Sequence, residues 1–207
     1  MAAIVTVIHK FTTINNHGPQ EVVVIDATSS SGVFADLSPF LIGPCELYTI
    51  DGVSLVAENM ENGWQYAKLY AQHADSNGDP TDDYWKWALT GFADKKANRY
   101  PMGKGAVPLY SFWNGEKLSY IDARKQIYGP LYAEAVQKTD SWKSLLDLYE
   151  FCDELYIRDW DGWSMEKHGM KSLTDVLNNP LRKMGHAFVL KMLLENDPAI
   201  EQMNMRG

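Results

Sequence analysis

Apolar positions run almost unbroken at the start of this chain and then change period. AIVTVIHKF and EVVVIDAT are rich in β-branched residues, and NNHGPQ between them has turn chemistry. The pattern predicts an N-terminal hairpin or small sheet. TSSSG, Thr28 to Gly32, reads as a flexible break. From Val33 to Leu55 the chain is interrupted by Pro39, Gly43, Pro44 and Gly52. An ordered loop with a short strand is expected there, with Asp51-Gly52 as a tight turn. After Val56 the stretch Glu58 to Ala74 reads as a helix despite Gly63. On it Glu61 and Lys68 stand seven residues apart, two turns, so they share a face.

DSNGDPTDD is a polar loop. Asp75, Asn77 and Asp79 imitate the opening of an EF-hand loop. Pro80 stands where glycine is needed and Lys86 where a bidentate glutamate is needed, so calcium is rejected. TDDYWKWALTGFADKKAN reads as a helix, acidic in its first turn and with lysines in its last. RYPMGKGAVPLYSFWNGEKL reads as a long loop of the kind that often carries function. SYIDARKQIYGPLYAEAVQK is helical, bent or interrupted at Gly129-Pro130. DSWKSLLDLYEFCDEL is an amphipathic helix starting at Asp140 or Ser141, with Trp142, Leu145, Leu146, Tyr149 and Cys152 on one stripe. YIRDWDGWSMEKHGMK reads as too broken for a regular element. SLTDVLNNP predicts a short helix ended by Pro180, and LRKMGHAFVLKMLLEND a final apolar helix. No internal repeat or low-complexity tract occurs. The expected product is one α+β domain over 1–207, predominantly α-helical. Its strands lie at about 4–50 and its helical body at about 57–196.

Composition narrows the chemistry. A hydrophobic content of 45% supports a sizeable core, and a net charge of −8 disfavours non-specific attraction to nucleic-acid backbones. Cys45 and Cys152 have no CxxC spacing and read as free thiols of a reducing compartment. No signal peptide or membrane-spanning run is seen, so a soluble protein of a cytoplasm (a host's, if the source is viral) is expected. Gly103, Lys104 and Gly105 lack the P-loop spacing, and neither GxGxxG nor GxSxG occurs. His9, His17, His73, His168 and His186 form no zinc-ligand motif, so no metal or cofactor is implied. What remains is carboxylates among aromatic and basic residues in three places: the Glu61 helix, Arg99 to Tyr120, and Arg158 to Trp163. A carboxylate that steadies a sugar cation or activates water, beside rings that hold a base, suits glycosidic-bond chemistry. Surface charges and core aromatics would give the same composition.

The order of these pieces resembles the NADAR family, an α-rich N-glycosidase superfamily that includes the bacterial riboflavin-pathway N-glycosidases. The resemblance spans about Glu21 to Glu195. GVFADLSPF is similar to the family's F-x-N-F signature, with Asp36 at the asparagine position. YTIDGVSL followed by ENGWQYAKLY resembles V-D-G … S-E-H-Y-F-Q-A-x-K-F. That places Glu61 on the family glutamate and Lys68 on the family lysine at the same spacing of seven. PMGKG resembles the M-G-R turn, with Lys104 for arginine. SYIDARKQIYGPLYAEAV resembles W-x-x-V-x-x-x-x-M-x-x-A, with Tyr120 or Trp113 standing for the tryptophan. ELYIRDWDGW resembles L-x-E … D-x-x-W-G with a shortened gap, which leaves Asp159 and Asp161 as rival matches. LRKMGHAFVLKMLLE resembles N-x-L-G-x-x-L-M-x-x-R, with Arg182 at the asparagine position.

The resemblance implies a NADAR-like fold and a metal-independent N-glycosidase that needs no cofactor. Family substrates are phosphorylated riboflavin intermediates and ADP-ribose attached to guanine, so modified nucleic acid is within the expected substrate range. Glu61 would be the acid/base. Lys68 would hold a phosphate or attack the opened sugar aldehyde as a neutral amine. At about 1.5 Å rise per residue the two would stand about 10 Å apart along the helix and flank one ribose. Asp159 or Asp161 would close the site. Asp36, Arg99, Lys104, Trp113, Tyr120 and Trp163 would contact substrate, while Trp64 and Tyr66 would belong to the core. The departures at Asp36, Lys104 and Arg182 suit two alternatives: a non-catalytic binder of ADP-ribose-like nucleotides, or an interaction protein that kept only the fold.

Overall fold

The N-terminal β-branched runs form strands β1 (Ile4–His9) and β2 (Val22–Asp26), but these do not pair with each other as a hairpin. This computed structural model describes residues 2–15, 18–50 and 52–203. Asn16, His17 and Asp51, which fall in the two expected turns, lie outside the described residues. The connection from Lys10 to Glu21 is too long for a hairpin turn. The two strands run in the same direction with a third strand between them, and Arg158 Nη2 donates to Thr12 O at 3.3 Å.

Strands β3 (Cys45–Ile50) and β4 (Val53–Ala57) pair antiparallel with an irregularity between Glu46 and Thr49. Helix α1 then covers only Met60–Tyr66, and all seven of its residues are buried. The helix expected over Glu58 to Ala74 is therefore cut short, and Lys68 belongs to a strand, β5 (Lys68–Leu69). The competing partners explain the stop. Tyr84 Oη donates to Tyr66 O at 3.3 Å and Phe112 N to Ala67 O at 2.7 Å, taking carbonyls that a further helical turn would use. Strand β5 pairs with β6 (Tyr110–Trp113), which turns at Asn114-Gly115 into β7 (Glu116–Leu118). Both turn residues have positive φ, 47° and 85°, as this two-residue hairpin requires. The loop expected over Arg99 to Leu118 thus contains a hairpin.

Helix α2 (Asp82–Phe92) is capped by Thr81 and acidic in its first turn, while Lys95 and Lys96 lie beyond its end. Helix α3 (Tyr120–Ala123) widens into a π turn over Arg124–Tyr128 and continues as α4 (Gly129–Val136). The interruption falls immediately before Gly129-Pro130; Pro130 has no N–H to give to a regular turn. Helix α5 (Asp140–Phe151) starts at Asp140, one of the two expected positions, and is capped by Thr139.

Strand β8 (Glu154–Asp159) lies between β1 and β2, parallel to both, across the last two residues of the segment expected to be helical and the start of the stretch expected to be irregular. Its burial alternates with period two: Leu155 stands between Val5 and Val23, and Ile157 between Val7 and Ile25. Helix α6 (Leu173–Leu177) carries a Ser172/Asp175 capping box, and α7 (His186–Leu194) packs on β1, β8 and α4. The architecture is α+β, with helices around three small sheets. Leu37, Leu47, Met60, Tyr132, Leu155, Ile157 and Phe188 lie in one apolar cluster. Cys45 and Cys152 are free and buried. Among the described residues no helix is long and apolar enough to cross a membrane.

Candidate functional site

A cavity of about 670 Å³ opens at the carboxyl ends of β2 and β8. The turns that follow these parallel strands, Thr28-Ser29 and Trp160-Asp161, form part of its wall, and the carboxyl ends of parallel strands are where such sheets take ligands. Helix α1, the loop after Arg99, the α3 end and the start of α7 supply the other walls.

Glu61 lines the cavity yet is only 5% exposed. Asn59 starts α1 by accepting from Asn62 N, and Glu61 N donates to Pro39 O, so the glutamate is fixed one residue into the helix. Gln65, one turn on, donates through Nε2 to Glu61 Oε1 at 2.8 Å. Its Oε1 accepts from Lys68 Nζ at 2.6 Å. The acid and the amine therefore share a face through a bridging amide, although no second helical turn joins them and the 10 Å axial spacing does not apply. Burial pushes the Glu61 carboxyl up, against the lowering by Gln65, Lys68, Arg99 and His186. Burial pushes the Lys68 amine down to about 8; the Glu61 charge opposes this, and Lys183 adds to it. Lys68 Nζ also lies 4.5 Å from the Trp64 ring centre. Trp64 thus lines the cavity, packed on Tyr128, whereas Tyr66 packs in the core against Trp87. Both belong to the buried core as expected, and Trp64 also forms part of the cavity wall.

The third inward position of β8 carries a carboxylate in place of an apolar side chain. Asp159 is 3% exposed and accepts from Ala187 N, at the start of α7, and from Asp161 N, both at 3.1 Å. His186 Nε2 lies 2.8 Å from Ala27 O, and a carbonyl can only accept, so Nε2 carries a proton. His186 Nδ1 faces Asp159 Oδ2 at 3.2 Å. Asp161 instead pairs with Arg99 at 2.6 Å. Burial, the largest single effect, works against the charge of Arg99, but Asp161, Tyr100, Glu61 and Asp159 together hold the guanidinium pKa up. Both rival aspartates line the cavity, one as an anchor and the other as an ion-pair partner.

Gly185 makes this packing feasible, since a Cβ there would stand 2.1 Å from Asp159 Oδ2. Gly185→Ala is expected to dislodge the carboxylate and cost about 2 kcal/mol, read by denaturant unfolding. An alanine variant with wild-type stability would mean that Asp159 is not held as described.

Five cationic side chains line the cavity, Lys68, Arg99, Lys104, Arg124 and Lys183, against the three carboxylates of Glu61, Asp159 and Asp161. That excess stands out in a chain of net charge −8. Lys104 and Lys183 are exposed at the mouth, while Arg124 is 2% exposed and bound to backbone carbonyls. Tyr120 lines the cavity with the Arg124 guanidinium 4.7 Å from its ring centre.

Family models, curated proteins and solved structures yield no match to this chain.

Four expected positions fall outside the cavity. Asp36 accepts from Ser141 N and so steadies the start of α5. Trp113, 8% exposed, packs edge-on to Tyr48 in β6, which leaves Tyr120 as the ring at the site. Trp163 donates through Nε1 to Lys183 O and packs on Phe188. The Arg182 guanidinium lies 5.6 Å from the Trp163 ring centre. Gln65, Arg124, Trp160, Lys183 and His186 line the cavity without having been expected there. A signal existed for Arg124, a charge amid the apolar positions Ala123, Ile127 and Tyr128. Among the described residues no group of three or more His, Cys, Asp or Glu side chains is placed to hold a metal ion.

Proposed function

We propose that the chain is an N-glycosidase acting on a nucleotide-type or ADP-ribosyl substrate, with Glu61 as acid/base. One observation carries the reading. A buried carboxyl lies in a cation-lined, aromatic-walled cavity and is joined through Gln65 to an amine of lowered pKa. A cavity of this size accommodates a nucleotide. In the reaction, the bond from ribose C1′ to nitrogen breaks and its electron pair leaves on the base, which takes up a proton from solvent. Water adds to the sugar cation, and Glu61 receives the proton that the water gives up and returns it to solvent. Lys104 and Lys183 meet phosphate oxygens at the mouth, and Tyr120 meets a ring.

Of the three departures from the family pattern, Asp36 and Arg182 stand away from the cavity and only Lys104 lines it. Lysine for arginine keeps the charge there and loses the fork. The non-catalytic alternative therefore keeps one of its three motives. Incubation with guanine-linked ADP-ribose and with phosphorylated riboflavin precursors tests the reading. Release of the free base by the wild-type protein is expected, and no release from either would overturn it.

Lys68 gives a test that needs no substrate. With a pKa of about 8, roughly a tenth of the amine is neutral at pH 7. Modification of Lys68 by an amine-reactive aldehyde with reductant, followed by peptide mass spectrometry, should reach half its maximum near pH 8. The surface lysines should stay protonated to near their usual value. The folded-state pKa lies below the unfolded one, so protonation favours unfolding. The contribution of Lys68 to stability therefore improves as pH rises from about 8 towards the usual lysine range. A labelling profile like that of the surface lysines would remove Lys68 as a nucleophile.

A further inference from the structure

An aromatic pair beside the cavity is left exposed to solvent. Phe11 is 71% exposed and Trp160 is 44% exposed, at a ring separation of 5.2 Å and an interplanar angle of 89°. Trp160 also lines the cavity that contains Glu61. The pair is held in place from behind. Lys10 Nζ lies 5.2 Å from the Trp160 ring centre and is pinned by Asp26 at 3.1 Å and by Thr28 Oγ1. Thr28 in turn lines the cavity. The backbone of Trp160 runs between Asp159, tied to α7, and Asp161, tied to Arg99. Exposed aromatic surface costs free energy in water, and fixing it in advance removes the ordering cost of a ligand that covers it.

We propose that Phe11 and Trp160 form a stacking ledge for a second planar ring of the substrate, a purine-sized ring joined through phosphates to the ribose at Glu61. Two rings at right angles make a corner. A flat group entering it lies on the face of one and against the edge of the other, a favourable arrangement for both pairs. The exposed amines of Lys104 and Lys183, on the same cavity, supply the charge that linking phosphates need. The proposal deepens the glycosidase reading and rests on it only for which end of the ligand lies at Glu61. It separates a nucleoside-diphosphate sugar from a ribose phosphate that carries one ring alone.

Calorimetric titration of the full chain with ADP-ribose and with ribose 5-phosphate tests the ledge independently of turnover. Wild-type protein should bind ADP-ribose at least about tenfold more tightly, the usual scale for one base stacked on an aromatic ring. Trp160→Leu and Phe11→Ala should each shrink that preference, the former by about tenfold. Both positions are exposed at the surface, and circular dichroism checks that each variant folds. Equal wild-type affinities, no binding of either ligand, or a preference untouched in both variants would overturn the ledge. A chain that keeps the preference but cleaves nothing would retain the ledge and lose the glycosidase. Cleavage without the preference would do the reverse.

Discussion

Glu61→Gln is expected to lower turnover by about a thousandfold, within the range for losing a positioned acid/base, while raising thermal stability. The two effects have one cause. Glutamine keeps the volume of glutamate, and its Oε1 can still accept from Gln65 Nε2, so the bridge to Lys68 survives. What disappears is the group that exchanges a proton. Burial holds the Glu61 carboxyl above its usual pKa. The unfolded chain therefore gives up this proton first as pH rises. Stability falls between the unfolded and folded pKa values and stays lower above them. A neutral amide mimics the protonated acid and removes that loss at neutral pH. Its removal also takes away the charge that raises the Lys68 pKa, so Lys68 should titrate below about 8 in this variant. Base release from guanine-linked ADP-ribose, a melting curve and the Lys68 labelling profile read the three consequences. Equal turnover in wild type and variant would overturn Glu61 as acid/base. A lower melting temperature would show that the carboxylate is structural, since functional groups held against their own stability are relieved by neutral substitution.

The cavity was legible where chemistry is local and illegible where tertiary pairing decides. The spacing of Glu61 and Lys68 predicts a shared helix face, yet the chain leaves the helix at Tyr66 because Tyr84 and Phe112 take the next carbonyls. They still meet, through a glutamine that the helical pattern assigned no role. Strand β8 was missed because its flanks, Trp160 to Trp163, are rich in charge and rings; its alternation is confined to six residues. With β8 hidden, β1 and β2 had only each other as partners, and the hairpin followed. Asp36 and Trp163 belong to motif-like segments whose backbones pass near the site while their side chains serve α5 and α7. Periodicity does not reveal which side a loop residue faces. Asp159 is the instructive case: at the third inward position of a strand, polarity signals either an edge or a site.

Arg124→Met should cost about 4 kcal/mol of stability and lower the melting temperature by roughly 12 °C, from the penalty for stranded buried acceptors and the scaling for chains of this length. Arg124 is 2% exposed and has no ion-pair partner among the described residues. Its Nη1 donates to Val176 O, Leu177 O and Asn179 O at 2.9 to 3.0 Å, and its Nη2 to Arg182 O at 2.8 Å. The first two acceptors are the last carbonyls of α6, where the helix is negative; Val176 O also accepts from Asn179 N at 3.3 Å. One guanidinium thus closes a helix end and gathers the segment that carries Lys183 and Gly185 to the cavity and starts α7. Methionine fills the volume but donates nothing, so four carbonyls lose this donor at once. Arg124→Lys keeps the charge on a single nitrogen that cannot span Leu177 and Arg182 together, so an intermediate loss is expected. Hydrogen exchange should localise the damage, with amides of 176–190 losing protection before those of β1 and β8. A methionine variant that melts within about 2 °C of wild type would show that these carbonyls find other partners, and that the segment from α6 to α7 is held by its apolar packing alone.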